Sequence, residues 1–245
     1  MANTVRPMDL SDYTIGSEGV FRRKYVWQWP IRIFHWINAL SVAVLFATGL
    51  YIAKPFLAPT GEAFDSFIMG GVIEAHLIAA FIFIVNYFWR IYWFWAGNNY
   101  ARSGFPFFWR KIWWKDLFRQ LVDYLRLSRG HVHLGHNALS GLTYTVFIVC
   151  LGFVQIITGL ALFSESNPGG FWSHIVGWVI PLAGGSFQLR TWHYLFAWGF
   201  LFFAILHIYV VFYDGQQYKN GLVSSMVSGV KFYKDDDLDS DTWLS

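Results

Sequence analysis

The chain has 245 residues, of which 56% are hydrophobic and 13% are charged, and its formal net charge at pH 7 is +3. A soluble domain carries about twice that charged fraction, so this composition excludes a large water-soluble core inside a charged shell. Aromatic residues make up 21% of the chain, which is typical of a protein that lines two membrane–water interfaces. We expect membrane lipid, and no nucleic acid, around it. The single cysteine, Cys150, excludes a disulfide framework and covalently attached haem.

Four apolar runs are long enough to cross a bilayer as helices, which takes about 20 residues. Because residues 1–24 lack the apolar core of a cleavable signal peptide, the first run is expected to direct its own insertion. A shorter stretch, 171–183, is interrupted by Gly177 and Pro181 and is predicted to form an interfacial helix. The predicted spans cover residues 27–53, 67–89, 139–163 and 189–213.

The lysines and arginines fall almost entirely on one side of a chain with four spans. Of the eighteen lysines and arginines, sixteen lie in the segment through Arg32, in the loop that begins at Arg90, or in the C-terminal tail. The other two, Lys54 and Arg190, lie on the opposite side. Positive residues are retained in the cytoplasm. We therefore expect a multi-pass protein of the cytoplasmic membrane, with the cytoplasmic tails 1–24 and 214–245.

The loop after the second span contains a further predicted helix, over residues 107–127. Apolar residues recur there every three or four positions and are interleaved with lysines and arginines. This pattern indicates an amphipathic helix that lies on the inner leaflet. Its apolar residues are Trp109, Ile112, Trp113, Leu117, Leu121 and Tyr124.

Four of the eight histidines lie inside predicted spans. Ionisable groups at membrane depth are rare and indicate function. His35 and His207 fall near the inner ends of the first and fourth spans, whereas His76 and His193 fall near the outer ends of the second and fourth. Each level thus has two histidines from different helices, as bis-imidazole ligation of haem iron requires.

The two histidines of the fourth span support this interpretation. His193 and His207 are 14 residues apart, which is about 21 Å along a helix and within about 40° of the same face. Two stacked haems fit that spacing. Zinc or copper sites cluster several ligands at one level, and each level here offers two. The predicted fold is an all-α integral membrane four-helix bundle, a single domain over 1–245, with a haem-binding core and interfacial amphipathic helices.

A short sequence repeat occurs in the first and third spans, where Gly49 and Gly159 each stand between a threonine and a leucine. Gly49 follows His35 by 14 residues, which places it at the height of the outer histidines. A glycine there permits a large ring to approach the backbone, or permits two helices to pack closely. Both roles stay open, as they do for Gly199.

The motifs around the histidines resemble those of a known family. Arg-Ile-Phe-His-Trp at 32–36, Glu-Ala-His-Leu at 74–77, Gly-His-Asn at 135–137 and Arg-Thr-Trp-His-Tyr at 190–194 are similar to b-type cytochrome subunits of membrane-bound nickel–iron uptake hydrogenases. Cytochrome b subunits of formate dehydrogenases are more distantly similar. The likeness covers roughly residues 25–218.

That resemblance implies an electron-transfer subunit rather than an enzyme. It would hold two non-covalent haem b groups, by the pairs His76/His193 and His35/His207. Electrons would pass from the periplasmic iron–sulfur small subunit of the hydrogenase to membrane quinone, while the nickel–iron large subunit carries the hydrogen site. The alternative is the cytochrome b of another periplasmic quinone-linked oxidoreductase, such as formate dehydrogenase.

The resemblance also implies a quinone site near the inner haem. The family has an asparagine at the start of the third span, which is Asn137 here. This chain departs from the family by having Ala138 where relatives often have proline and Ser140 where they have an amide. Asn137 is equally suited to cap the third span, so both roles stay open.

The other histidines lie in loops. His131 and His133 are expected to be solvated at the surface, His136 to supply protons near a reduced quinone, and His174 to face the partner on the outer side. Two other functions were weighed. A transporter would have a polar pathway or broken helices, of which the spans show little, and a structural anchor would need no stacked histidines.

Overall fold

A computed structural model of the chain describes residues 13–16, 19–56, 67–126, 128 and 133–234. Within these residues, four helices are long and apolar enough to cross a membrane. The predicted helical membrane fold is therefore confirmed. The four candidate spans are Trp29–Ala53, Ile68–Ala96, Ala138–Ser164 and Ser186–Tyr218.

Shorter elements connect the spans and flank them. The helices are α1 (Trp29–Ala53), α2 (Ile68–Ala96), α3 (Asn99–Arg102), α4 (Lys111–Arg126), α5 (Ala138–Tyr144), α6 (Leu151–Ser164), α7 (Phe171–Val176), α8 (Val179–Leu182), α9 (Ser186–Tyr218) and α10 (Leu222–Ser228). A π-helical segment, Thr145–Cys150, joins α5 to α6. The strands are β1 (Tyr13–Gly16), β2 (Gly19–Tyr25) and β3 (Val230–Tyr233).

The second span continues past its predicted end at residue 89. The sequence analysis counted Arg90 as the first residue of the following loop, and that assignment is wrong: Arg90 is buried within α2. Its guanidinium lies 5.9 Å from the ring centre of Phe34 and 5.3 Å from that of Tyr144. Cation–π attraction offsets part of the cost of placing this charge at depth.

The third span changes its helical pitch in the middle. The π-helical segment alters the spacing of its carbonyl groups, and Tyr87 of α2 donates its hydroxyl to the Val149 carbonyl at 2.8 Å. The helices approach closely here, since a Cβ added to Gly152 would lie 3.2 Å from Cε2 of Tyr87. A π-helical turn of this kind often marks a functional position.

One compact unit consists of Ile33–Ala96 and Thr143–Ile208, and its core joins all four spans. Because lipid is as apolar as these side chains, the helices associate through close van der Waals packing rather than through a hydrophobic effect. The buried cluster at its centre contains Phe34, Phe83, Tyr87, Ile148, Ile156 and Phe200.

The described residues of Met1–Arg32, Gly97–Leu142 and Tyr209–Ser245 form the other compact unit. It contains a small antiparallel sheet in the order β1-β2-β3, which the sequence analysis did not predict. Tyr25 of β2 pairs with Val230 of β3, so the segments before the first span and after the fourth lie side by side. An even number of spans places both segments on the same side of a membrane, which agrees with their pairing.

The amphipathic helix predicted over 107–127 is present as α4. Trp113 is completely buried and Leu117 nearly so, and both pack against Ala138 at the start of α5. Other large apolar residues of α4, such as Phe118 and Leu125, are exposed. The predicted interfacial helix over 171–183 is present as α7 and α8, which are separated at Gly177 and Trp178.

Candidate functional site

The structure brings the two histidines of the inner level together. The ring centres of His35 on α1 and His207 on α9 are 6.2 Å apart, with 51° between the ring planes. Phe203, one turn before His207, stacks on its ring at 5.6 Å, and Trp36 meets the His35 ring edge-on at 5.0 Å. Aromatic side chains thus support both imidazoles.

This separation fits a metal ion held between two imidazoles. Ring centres on opposite sides of one ion are about 6 Å apart, because each metal–nitrogen bond is about 2 Å and each centre lies about 1 Å beyond its nitrogen. In the described part of the chain, no cluster of three or more His, Cys, Asp or Glu side chains could hold a bare metal ion. Two imidazoles suit haem iron, whose other four ligands come from the macrocycle.

The two histidines predicted for the outer level are His76 on α2 and His193 on α9, and a threonine on a neighbouring span contacts each ring. Oγ1 of Thr48 lies 2.8 Å from Nδ1 of His76, and Oγ1 of Thr158 lies 2.8 Å from Nδ1 of His193. The same contact is thus made twice, by the two spans that carry the Thr-Gly-Leu repeat.

The threonine contacts define which ring nitrogen carries the proton. Thr48 donates its hydroxyl to the Val44 carbonyl at 2.7 Å, and Thr158 donates to the Val154 carbonyl at 2.8 Å. Since a hydroxyl has one proton to donate, we assign Nδ1–H of each histidine as the donor to its threonine oxygen; the Leu45 backbone is a further hydrogen-bond partner of His76. The lone pair is left on Nε2, the nitrogen that would bind iron.

Gln155 on α6 is consistent with this tautomer of His193. Its Nε2 amide lies 3.3 Å from Nε2 of His193 and 3.2 Å from the His193 carbonyl oxygen, so the amide donates toward the bare ring nitrogen. Sequence analysis did not single out Gln155. The sequence feature that could have indicated Gln155 is a polar amide inside the third span, at about the height of His193.

The glycines of the repeat make room for the imidazoles. A Cβ added to Gly49 would lie 3.5 Å from Cε1 of His76, and one added to Gly159 would lie 3.2 Å from Cε1 of His193. The rings that approach these glycines are therefore the imidazoles of His76 and His193. Gly199 has a different environment, because its added Cβ would meet Leu151 at 3.0 Å, and it therefore serves close helix packing.

Two buried polar residues of α2 lie beside the inner level and were not predicted. Nδ2 of Asn86 donates to the Phe34 carbonyl at 3.0 Å, which fixes the backbone immediately before His35. Arg90 packs over the Phe34 ring. Their spacing of four residues within an apolar run places both on one helix face, and this was the signal in the sequence.

Asn137 caps the third span. Its Oδ1 accepts a hydrogen bond from the Ser140 backbone N–H at 2.7 Å, and the Ser140 hydroxyl donates to the Asn137 carbonyl at 3.0 Å. Nδ2 of Asn137 donates to Oε1 of Gln120 at 3.3 Å. Gln120 is buried, and among the described residues its Nε2 has no hydrogen-bond partner. A buried amide donor without an acceptor suits a ligand carbonyl.

The prediction that His133 is solvated is wrong, because it is 8% exposed and its Nε2 lies 3.4 Å from Oδ1 of Asp116. The Asp116 carboxylate also accepts hydrogen bonds from the Ala138 backbone N–H at 2.9 Å and from Arg119 at 2.8 Å. Burial alone would raise the pKa of Asp116, but His133, Ala138 and Arg119 together lower it to about 2. His131 lies outside the described residues.

Two further loop histidines differ in environment. His136 is half-buried, and the Ser103 hydroxyl oxygen lies 2.9 Å from its Nδ1 and 3.0 Å from its backbone nitrogen. Its ring meets Trp27 edge-on at 5.1 Å. His174 is exposed on α7, as a surface position requires.

A hydrogen bond between Tyr124 and Asp214 was not predicted. The Tyr124 hydroxyl on α4 donates to Oδ2 of Asp214 near the end of α9 at 2.7 Å. Burial raises the pKa of Tyr124, and the Asp214 carboxylate raises it further. Sequence patterns give no register between these distant segments, so this contact required the structure.

Four helices long and apolar enough to cross a membrane, with histidines of two different helices brought together, are typical of membrane cytochromes of the b type. Residues 26–229 match the family described as Prokaryotic cytochrome b561, and the chain belongs to that family. It is thus a multi-pass bacterial membrane protein, and its class implies haem b and electron transport.

Three relatives support this assignment. A protein of Azotobacter vinelandii is 37% identical over 86% of this chain and 90% of its own length. One of Cupriavidus necator is 35% identical over 96% of this chain and 100% of its own length. Both are named “Probable Ni/Fe-hydrogenase B-type cytochrome subunit”. A protein of Escherichia coli K12 named “Probable Ni/Fe-hydrogenase 1 B-type cytochrome subunit” is 34% identical over 86% of this chain and 91% of its own length. The predicted family is therefore confirmed.

Proposed function

We propose that this chain is the di-haem electron-transfer subunit of a nickel–iron hydrogenase. In this proposal it receives electrons from the periplasmic iron–sulfur small subunit and delivers them to membrane quinone, while the nickel–iron large subunit carries the hydrogen chemistry. The names of relatives that align over most of their length support the assignment to a hydrogenase. The single domain of residues 1–245 is part of the same proposal.

The proposed ligands are His76 with His193 at the outer level and His35 with His207 at the inner level. The observation that carries the proposal is the 6.2 Å separation of the His35 and His207 ring centres, at which both imidazoles would be able to hold the same iron. When bound, haem b supplies the one-electron carriers at the two levels. The chain's residues orient the imidazoles.

We place both termini in the cytoplasm, because sixteen of the eighteen lysines and arginines then lie on that side or at its boundary. An electron that moves inward opposes a membrane potential that is negative inside, at about 2.3 kcal/mol per 100 mV. The inner acceptor must therefore be sufficiently oxidising. Proton uptake from the cytoplasm by the reduced quinone would make the reaction separate charge.

We further propose that quinone binds next to Asn137 and Ser140, with Gln120 as an additional contact. Asn137 and Ser140 bond each other at the start of α5, so they shape the site more than they donate to it. The buried Nε2 of Gln120, which has no partner among the described residues, is suited to donate to a quinone carbonyl. His136, on the same loop, is the proposed source of protons.

The purified chain tests this proposal through its reduced-minus-oxidised spectrum and a pyridine haemochrome assay. We expect a low-spin haem b signal and two haems per chain. His76→Ala or His193→Ala should leave one haem, and His174→Ala, on the exposed α7, should leave two. Absence of a haem b signal, or retention of both haems in the His193 variant, would contradict the proposal. Copurification with a nickel–iron hydrogenase tests the electron donor.

A further inference from the structure

At the outer level, the same pair of contacts to a histidine ring occurs twice. On α1 and on α6, a threonine contacts Nδ1 of a histidine on another span, and the next residue is a glycine that faces Cε1 of the same ring. Nδ1 and Cε1 are adjacent atoms of the imidazole. Two consecutive residues therefore hold one edge of each ring, and at His193 the Gln155 amide of the same helix also reaches Nε2.

The hydroxyl has a defined chemical effect on the imidazole. Because each threonine uses its own proton on a carbonyl one turn earlier, it accepts the Nδ1–H of the histidine. A hydrogen bond of this kind fixes the tautomer of a metal-binding histidine and raises its basicity as a ligand. A more basic ligand stabilises ferric over ferrous iron and so lowers the reduction potential.

The inner level lacks this contact at one of its two histidines. Nδ1 of His35 is buried, and it has no hydrogen-bond partner within the described part of the chain. His207 is supported by the ring of Phe203, which stacks on it. The two levels therefore differ in the hydrogen bonding of their imidazoles, although both consist of two histidines.

We propose that Thr48 and Thr158 are positioning residues that hold His76 and His193 with Nε2 available to iron and that set the outer haem at a lower reduction potential than the inner haem. This inference rests on the proposed function, since it requires a haem at each level. The difference favours transfer of one electron from the outer haem to the inner haem, with oxidation of the first and reduction of the second.

Thr48→Val and Thr158→Val test the inference, because valine keeps the shape and β-branching of threonine and removes only the hydroxyl. The Val44 and Val154 carbonyls keep their helical partners, so the change under test is the loss of the threonine acceptor for the histidine Nδ1–H. Thr48→Ser and Thr158→Ser keep the hydroxyl. Thr191→Val is the matched control, since the Thr191 hydroxyl donates to the Phe187 carbonyl at 3.0 Å on the exposed side of α9.

The readout is a potentiometric titration of the purified cytochrome, followed by its haem b absorption. In the valine variants we expect the lower-potential component to shift to a more positive potential or to be lost, with the other component unchanged. The serine variants and Thr191→Val should titrate like the unaltered protein. The inference is overturned if the valine variants titrate like the unaltered protein, or if the serine variants behave like the valine variants.

The same titration separates this inference from the proposed function. If the unaltered chain contains no haem b, the proposed function fails and the potentials have no meaning. If it contains two components that the threonine substitutions leave unchanged, the proposed function stands and only the role of Thr48 and Thr158 is refuted.

Discussion

Replacement of Asp116 by asparagine should destabilise the protein in a way that depends on pH. Asp116 is 4% exposed and connects three segments, since its carboxylate bonds Arg119 on its own helix, the Ala138 N–H that begins the third span, and His133 from the loop between them. Asparagine has nearly the same shape but no charge. It retains one carbonyl oxygen for these donors.

The expected magnitude follows from the pKa of Asp116, which is lowered from an ordinary 3.8 to about 2. One pKa unit corresponds to about 1.4 kcal/mol, so ionised Asp116 contributes about 2.5 kcal/mol to the free energy of unfolding at neutral pH. Because the folded pKa is the lower one, this contribution is complete well above pH 4. It falls to about half near pH 3 and is mostly lost at about pH 2.

Urea unfolding of the detergent-solubilised protein, followed by tryptophan fluorescence, measures this effect. Asp116→Asn should be less stable by about 2.5 kcal/mol at pH 7, and the two proteins should converge between pH 4 and pH 2. The control is Asp123→Asn on the same helix. The Asp123 carboxylate accepts a hydrogen bond from the exposed Ser128 hydroxyl, and its replacement should change the free energy of unfolding by about 0.5 kcal/mol or less. A difference that stays constant from pH 7 to pH 3 would refute the assigned role of the charge.

Two other substitutions have expected outcomes. Gly159→Ala places a methyl group 3.2 Å from Cε1 of His193, so the ring must move by a few tenths of an ångström. Gly49→Ala is the comparison, because its methyl group makes an ordinary contact at 3.5 Å. Haem content after purification should be lower in the Gly159 variant than in the Gly49 variant, and equal content would contradict this. Tyr124→Phe removes the hydroxyl that donates to Asp214, and urea unfolding should show a loss of about 1.5–3 kcal/mol, as for other hydrogen bonds to charged groups; unchanged stability would show that the contact is dispensable.

The spans were predictable because lipid imposes one strong requirement, a long apolar helix. The ends were harder, as the second span shows: a charge was assumed to end it, but Arg90 is accommodated among aromatic rings inside α2. The sheet between β2 and β3 was missed because its strands lie more than 200 residues apart in the sequence. No local pattern specifies such a pairing.

The heights of the histidines along the spans were predictable from the sequence, whereas the protonation of their ring nitrogens was not. The 14-residue interval between His193 and His207 indicates one face and two heights for any α-helix. Which ring nitrogen is protonated depends on contacts between helices, such as the one from Thr158 to His193. His133 was misjudged for a similar reason, because its burial depends on Asp116, a residue of a different helix.

The Thr-Gly repeat shows how a weak sequence signal becomes specific in three dimensions. A threonine or a glycine alone in a membrane helix is common, and each has ordinary packing roles. In consecutive positions they contact adjacent atoms of one imidazole, with Thr48 at Nδ1 and Gly49 at Cε1 of His76. The glycine determines how near the ring can approach, and the threonine determines which nitrogen is protonated. Substitution of Gly159, where the approach is closer, should therefore change haem content first, while substitution of either threonine should change the reduction potential first.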